Sequence, residues 1–185
     1  SKVLSFMAQW QGDRTATPRY ALDEARFADT LKQRFGRQGS QAYADWHALL
    51  ASLADAQTAT KLARVNDFFN RRIKADSDAR IWGRDEYWAT PAETLGVGRG
   101  DSEDFAIAKY FTLLALGVPA DQLRLVYVKP RDATSGSDPV HVVLAHYATP
   151  NADPILLDNR VAEALPASKR ADLRPVFSFN AQGVW

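Results

Sequence analysis

The most informative stretch of the sequence is Gly100-Asp101-Ser102-Glu103-Asp104-Phe105-Ala106-Ile107. It places three carboxylates and one hydroxyl on the predicted first turn of a long apolar helix, from about 102 to 116. Asp101 is a good N-cap, and Asp104 three residues later fits the return half of a capping box. Helix capping alone is therefore one explanation of these carboxylates, although two of them would suffice for it.

Two residues further along the chain indicate a hydrolase. His141 lies in a strand-like apolar run, and Asp158 closes the next such run. A nucleophile at a helix start, a base on a strand and an orienting carboxylate are the parts of a catalytic triad. We therefore predict that Ser102, His141 and Asp158 are the catalytic residues. The alternative is that His141 is a hydrogen-bonded residue of the core.

The strand register decides whether His141 and Asp158 can meet. A tight turn at Thr149-Pro150 would place Asp158 directly across from His141. A six-residue loop over 149–154 would shift Asp158 by about four positions, or about 13 Å at the usual strand rise. The sequence leaves both registers open.

The three carboxylates are electrostatically unfavourable beside a nucleophile. A helix N-terminus lowers the pKa of a cysteine placed there, whereas adjacent carboxylates oppose that effect. A bound divalent cation would remove the conflict. Clustered hard oxygens, with no Cys and no close His pair, favour calcium over zinc. We therefore predict that Asp101, Glu103 and Asp104 bind Ca²⁺.

The composition is that of an ordinary globular protein. The 185 residues predict a single domain over 1–185, and the net charge of +1 gives no reason to expect nucleic acid or an anionic membrane as a partner. No apolar run is long enough to insert into a bilayer. The sequence contains no cysteine, which excludes disulfides. It begins at Ser1 rather than Met, so we expect a processed or trimmed chain, and export of the full-length protein stays open.

The hydrophobic spacing predicts an α+β fold with helices first. Gly36 is expected to end the first helix, and a helix is expected to begin at Thr90. A helical lobe over about 1–117 is followed by an antiparallel sheet lobe over about 118–185. The helices are predicted from the groups Phe27, Leu31, Phe35; Tyr43, Trp46, Leu50, Leu53; and Leu62, Val65, Phe69, Ile73. The strands are predicted at Leu123–Val128, Val140–Tyr147, Ile155–Asp158 and Val176–Phe179.

Several patterns do not support a function. The glycines of 96–100 have the wrong spacing for a dinucleotide loop. Asp76-Ser77-Asp78 lacks the downstream Gly and Glu of an EF-hand. His146 points to the strand face opposite His141, and His47 lies in the helical half, so we interpret both as structural.

Three motifs carry a specific resemblance. They are Val65-Asn66-Asp67-Phe68-Phe69-Asn70, Asp85-Glu86-Tyr87-Trp88-Ala89-Thr90-Pro91-Ala92-Glu93 and Gly98-Arg99-Gly100-Asp101-Ser102-Glu103-Asp104-Phe105-Ala106-Ile107-Ala108-Lys109-Tyr110. With them the chain resembles the bacterial transglutaminase-like cysteine proteinases from about residue 20 onward. The resemblance implies a papain/transglutaminase-like core and a Cys-His-Asp triad at positions 102, 141 and 158. It also implies calcium dependence through Asp101, Glu103 and Asp104.

The resemblance implies a biological setting as well. Members of this kind are periplasmic endopeptidases that cut a large repeat adhesin near its N-terminus and release biofilm cells. The periplasmic domain of an inner-membrane cyclic di-GMP receptor sequesters them. For this chain we therefore expect a periplasmic location, an adhesin as substrate and such a receptor as partner.

Ser102 departs from the family, whose nucleophile is cysteine. Three explanations stay open: an engineered inactivating Cys-to-Ser change, which we favour; a natural serine in a relative that only binds; and a true serine hydrolase. Two other function classes are also retained. They are a non-catalytic calcium-dependent binding module and an acyl transferase of the transglutaminase type.

Overall fold

The computed structural model describes residues 23–132, 140–180 and 182–185. Predictions for the chain before residue 23 and for most of the 129–138 loop lie outside these residues. The described helices are α1 (Glu24–Leu53), α2 (Thr58–Arg72), α3 (Asp78–Trp82), α4 (Pro91–Val97) and α5 (Ser102–Ala115). Within the described part of the chain, no helix has the length and apolarity needed to cross a bilayer.

The break predicted at Gly36 is confirmed, but it is a kink rather than the end of a helix. Gly36 has φ 56° and ψ −134°, a conformation that disfavours side chains with a Cβ. Helical geometry resumes at once, so the two helices that we predicted form the single kinked helix α1. The apolar residues Phe27, Leu31 and Trp46 from both halves are buried.

The sheet confirms the α+β prediction. Its six strands are β3 (Leu123–Pro130), β4 (His141–His146), β5 (Ile155–Leu157), β6 (Leu165–Pro166), β7 (Leu173–Asn180) and β8 (Gly183–Val184). Their order in the sheet is β6-β5-β4-β3-β7-β8, and all neighbouring strands are antiparallel. Short 3₁₀ helices precede β3 and β7, at Ala120–Gln122 and Ala167–Lys169.

A separate two-stranded ribbon joins two distant segments of the helical half. β1 (Lys74–Ala75) pairs in parallel with β2 (Arg99–Gly100). The N–H of Asp76 extends the ribbon by donating to the Gly100 carbonyl at 2.9 Å. The ribbon therefore aligns the chain that leads into α3 with the chain that leads into α5.

Helix α5 lies at the centre of the fold, as its apolar sequence predicted. Phe105, Ile107 and Leu113 are almost fully buried in a core that combines α1, α2 and α5 with the inner face of the sheet. The helix ends as predicted: Gly117 has φ 81°, and the Val118 N–H donates to the Leu113 carbonyl at 3.0 Å. A rigid, buried helix therefore carries the candidate nucleophile position.

Candidate active site

The start of α5 has the predicted capping box. Asp101 Oδ1 accepts the N–H groups of Glu103 and Asp104 at 3.1 and 3.2 Å. In return, Asp104 Oδ2 accepts the Asp101 N–H at 3.3 Å. Ser102 is the first residue of the helix and is half-buried. The cap thus fixes the backbone on both sides of Ser102.

The structure brings His141 and Asp158 together. His141 Nε2 lies 2.7 Å from Asp158 Oδ1, and both side chains are buried. The observed register differs from both alternatives that we considered, because Leu144 pairs with Leu157. Asp158 therefore follows the last residue of β5 and lies diagonal to His141. Diagonal neighbours on one strand face are close enough for such side chains to meet.

The Asp158 carboxylate has two further donors. The Arg160 N–H donates to Oδ1 and Arg170 Nη2 donates to Oδ2, each at 2.9 Å. Burial alone would raise the pKa of Asp158, but the hydrogen bonds from His141 and Arg160 hold it well below its usual range. Asp158 is thus a permanently charged acceptor. We did not predict Arg170 from the sequence, since no motif marks it.

Ser102 is hydrogen-bonded to groups other than the candidate base. Its hydroxyl donates to Glu103 Oε2 at 2.9 Å and accepts the Val142 N–H at 3.1 Å. His141 Nδ1 is buried and has no hydrogen-bond partner among the described residues. Since Nε2 is directed to Asp158, Nδ1 is the ring nitrogen left to act as a base.

An acidic cluster adjoins the nucleophile position. Oxygen atoms of Asp78, Asp101 and Asp104 all lie within 4.8 Å of one another. Asp104 Oδ1 accepts the Ala89 N–H at 2.9 Å, and Asp78 Oδ2 accepts the Tyr87 N–H at 2.5 Å. Two of the predicted metal ligands therefore come together, with Asp78 as a third.

Glu103 is not one of the three clustered residues; its Oε2 accepts the Ser102 hydroxyl, and it lies close enough to Asp101 to raise the pKa of that carboxyl. Asp78 is a candidate ligand that the sequence did not predict. It lies in the Asp76-Ser77-Asp78 segment, which does not have the pattern of an EF-hand loop. The β1–β2 ribbon aligns the two segments, and Asp78 lies near Asp101 just beyond it.

The electrostatics of the cluster favour a bound cation. The pKa of Asp101 is raised to about 7, mainly by burial and next by the charge of Glu103. Burial, followed by the charge of Asp101, raises the pKa of Asp104 to about 8. Asp78 Oδ1 is buried with no hydrogen-bond partner in the described part of the chain. Three crowded hard oxygen donors suit calcium, and an ion would relieve their repulsion.

A cleft of about 960 Å³ opens beside Ser102. Asp85 and Glu86 are among its acidic lining residues, and Trp88 and Tyr127 provide aromatic surface. Tyr127 is stacked on Phe177, with ring centroids 4.4 Å apart. Such a cleft is large enough for several residues of an extended peptide.

A profile of the bacterial transglutaminase-like cysteine proteinases (BTLCP) matches residues 37–172. The chain belongs to this family. The members of this family are described as cysteine proteinases, whereas this sequence contains no cysteine. A chain without cysteine therefore lacks the nucleophile after which its family is named.

Solved structures of LapG from Legionella pneumophila are similar to this chain. The calcium-bound form is 38% identical, with a TM-score of 0.76, and the match covers 89% of this chain and 87% of LapG. The EGTA-treated form gives 38% identity and a TM-score of 0.75, covering 89% and 85%. A search of curated proteins found no match.

A buried lysine on α5 is linked by hydrogen bonds to the backbone of Asp158. Lys109, two helical turns after Ser102, is fully buried and donates to Asn66 Oδ1 at 2.8 Å and Asn70 Oδ1 at 2.7 Å. Asn70 Nδ2 in turn donates to the Asp158 carbonyl at 2.9 Å. Burial lowers the pKa of Lys109 to about 7, and the charge of Asp158 opposes that effect. The network joins α5 and α2 to the loop that carries Asp158.

The two other histidines lie away from the site, as predicted. His146 Nε2 lies 3.0 Å from Gln122 Oε1, at the far end of β4. His47 is on α1, with Nε2 3.7 Å from Glu24 Oε2. Among the three histidines, His141 alone is paired with a residue of the predicted triad.

Proposed function

We propose that the chain is a calcium-dependent endopeptidase of the cysteine proteinase type in a form disabled at its nucleophile. The observation that carries this proposal is the buried pair of His141 and Asp158 beside the capped helix start that holds Ser102. Among the residues that the structure describes, His141 Nδ1 has no hydrogen-bond partner. A cysteine at 102 would complete the triad.

Calcium is proposed as the cation of the acidic cluster. Asp78, Asp101 and Asp104 would hold it, and the calcium-bound form of the similar LapG supports this choice. When bound, calcium would neutralise carboxylates that otherwise disfavour a thiolate at position 102. Glu103, which we predicted as a ligand from the sequence, accepts the Ser102 hydroxyl through Oε2, so Oε1 is the oxygen that it would offer to the ion.

The chemistry follows from the protonation state of the His141 ring. Nε2 keeps its proton because it donates to the charged Asp158 carboxylate, so Nδ1 is free to take the thiol proton of a cysteine at 102. The thiolate sulfur then attacks the scissile carbonyl carbon and forms a C–S bond. The imidazolium returns the proton to the leaving amine as the C–N bond breaks. Water, deprotonated at Nδ1, then hydrolyses the thioester.

The helix start also limits the choice of oxyanion donor. Asp101 Oδ1 already accepts the N–H groups of Glu103 and Asp104. The Ser102 N–H is therefore the donor at the α5 N-terminus that an oxyanion would use. The capping box holds this N–H in place before substrate binds.

The proposed substrate is a large repeat adhesin, cut near its N-terminus in the periplasm to release biofilm cells. The proposed regulator is the periplasmic domain of an inner-membrane cyclic di-GMP receptor. The 38% identity to LapG over 89% of the chain supports assigning this setting. The cleft beside Ser102 supports a peptide rather than a small-molecule substrate.

The serine accounts for the inactivity that we propose. A hydroxyl is a much weaker nucleophile than a thiolate unless a base activates it. Here the Ser102 hydroxyl donates to Glu103 rather than to His141. This hydrogen bond argues against a true serine hydrolase.

The test is to restore the thiol with Ser102→Cys and to incubate it with an N-terminal adhesin fragment. We expect one specific cleavage that requires calcium and stops with EGTA. Ser102→Ala and the double variant Ser102→Cys/His141→Ala are matched controls that should not cleave. A folded, calcium-loaded Ser102→Cys protein that leaves the fragment intact would overturn the proposed function.

A calcium-dependent binding module is the second candidate. The absence of cysteine and the engagement of the Ser102 hydroxyl by Glu103 and Val142 favour it. Such a module should bind the adhesin fragment with equal affinity as Ser102 and Ser102→Cys proteins. Binding by both, together with no cleavage by Ser102→Cys, would decide for the module.

A further inference from the structure

Arg170 contacts the oxygen of Asp158 that His141 does not use. Arg170 Nη2 donates to Asp158 Oδ2 at 2.9 Å, and Asp158 Oδ1 serves His141 and the Arg160 N–H. The Arg170 side chain is 7% exposed and that of Asp158 is 0% exposed. The guanidinium is therefore part of the interior next to the triad.

A second carboxylate holds the guanidinium in this position. Arg170 Nε and Nη2 donate to the two oxygens of Asp172 at 3.0 and 2.9 Å. The Asp172 side chain is 61% exposed, so it anchors the guanidinium from the solvent side. Because the fork is planar and rigid, binding Asp172 in this way directs Nη2 at Asp158.

The arrangement has a geometric consequence for catalysis. A buried carboxylate oxygen that loses its donor is destabilised, so without Arg170 the Asp158 carboxylate would rotate toward another donor. Any such turn would move Oδ1 away from His141 Nε2. The direction in which Nδ1 points depends on that hydrogen bond.

We propose that Arg170 is a positioning residue of the active site, which fixes the Asp158 carboxylate so that His141 presents Nδ1 to the nucleophile. Arg170 acts through Asp158 and does not touch substrate. This proposal rests on the proposed function for its catalytic consequence, but its geometric part can be tested without activity.

The geometric test uses the Ser102 protein and proton NMR. The Nε2–H of His141, shared with a buried carboxylate, is expected to give a signal downfield of the backbone amides, assigned by its loss in His141→Gln. Arg170→Met should shift or abolish this signal. Arg72→Met, which removes an arginine–carboxylate pair between α2 and Asp45 of α1, should leave it unchanged.

The kinetic test uses the same changes in the Ser102→Cys background. Arg170→Met should lower kcat about 10- to 100-fold, the usual effect of removing a group that orients a functional residue. KM should change by less than about twofold, since Arg170 makes no substrate contact. If Arg170→Met does not fold, Arg170→Lys replaces it, because one ammonium group cannot bond both carboxylates as the fork does.

An unchanged His141 signal together with an unchanged kcat would overturn the proposal, even if Arg170→Met lowers the melting temperature. If Ser102→Cys itself is inactive, the proposed function fails, while the NMR result in the Ser102 protein still decides the role of Arg170. An altered signal there supports positioning, and an unaltered one overturns it.

Discussion

His141 Nε2 and Asp158 Oδ1 are 2.7 Å apart, and the two side chains are only 1% and 0% exposed. The carboxylate therefore determines which ring nitrogen carries the proton. Because Asp158 has donors on both oxygens, the ring is held in one tautomer and one orientation.

Asp158→Asn should abolish most of the activity of the Ser102→Cys protein. The amide can present an N–H to His141, which favours the tautomer with the proton on Nδ1 and removes the base. We expect kcat to fall by up to about 10⁴-fold, the scale found for the same change in a serine protease triad. Cleavage of the adhesin fragment measures it. Asp153→Asn, at an exposed carboxylate bonded to Ser168, is the control and should retain full activity.

Asp78→Asn should weaken calcium binding, although Asp78 is far from Asp101 in the sequence. Loss of one charged ligand from a cluster of three is expected to raise Kd roughly tenfold or more. Isothermal titration calorimetry on the metal-free protein measures it. Asp85→Asn, which changes a residue that lines the same cleft but is outside the cluster, should bind calcium as the parent does.

Glu103→Gln tests the ligand that the sequence predicted. An unchanged Kd would keep Glu103 as the hydrogen-bond acceptor of Ser102. A Kd raised as far as that of Asp78→Asn would show that Glu103 turns to the ion when calcium is present.

The metal-free protein should lose stability as the pH rises from about 5 to about 8. The folded pKa values of Asp101 and Asp104 are about 7 and about 8, above the ordinary 3.8, so the folded state binds more protons than the unfolded state in this range. Stability therefore falls with rising pH. Urea unfolding with EGTA at the two pH values measures the change. Saturating calcium should remove or reverse the trend, because only the charged carboxylates bind the ion.

The pH trend has a matched control in Asp104→Asn. Its metal-free form should show a smaller fall in stability over the same range. A metal-free parent protein that becomes more stable toward pH 8 would contradict the raised pKa values.

Lys109→Met should destabilise the fold even though it removes a buried charge. The change leaves the Oδ1 atoms of Asn66 and Asn70 without their donor, and each such loss is worth about 1–3 kcal/mol. Urea unfolding measures the total. Lys61→Met, which removes a partly exposed ammonium bonded to the Leu116 carbonyl, is the control and should cost about 1 kcal/mol or less. Equal stabilities of the two variants would contradict the role given to Lys109.

Local patterns predicted much of the fold. The capping box of Asp101 and Asp104, the Gly117 cap and the α+β order depend on neighbouring residues, and all are present. The kink at Gly36 was predicted as a helix end, because a single glycine cannot show whether the chain continues as a helix.

Features that depend on distant contacts could not be predicted from local sequence. Asp78 lies near Asp101 where the β1–β2 ribbon aligns the two segments, and Arg170 bonds Asp158 from beyond β6 in the sequence. The burial of Lys109 was also missed, since lysine on a helix is usually solvated and its two asparagine partners come from α2. The register of β4 and β5 depends on how the 147–154 turn closes, which its residues leave open.

An ion bound in the acidic cluster would be a reversible cross-link between the two segments that the β1–β2 ribbon aligns. Asp78 and Asp101 stand at the two ends of a chain segment that includes α3 and α4, and an ion held between them would close that segment into a loop. In the entropic description used for disulfides, closing a loop of this size lowers the conformational entropy of the unfolded chain and so stabilises the folded state by about 3 kcal/mol. In a protein without cysteine, the bound cation would thus constrain the chain as a disulfide does, and a chelator would remove that constraint.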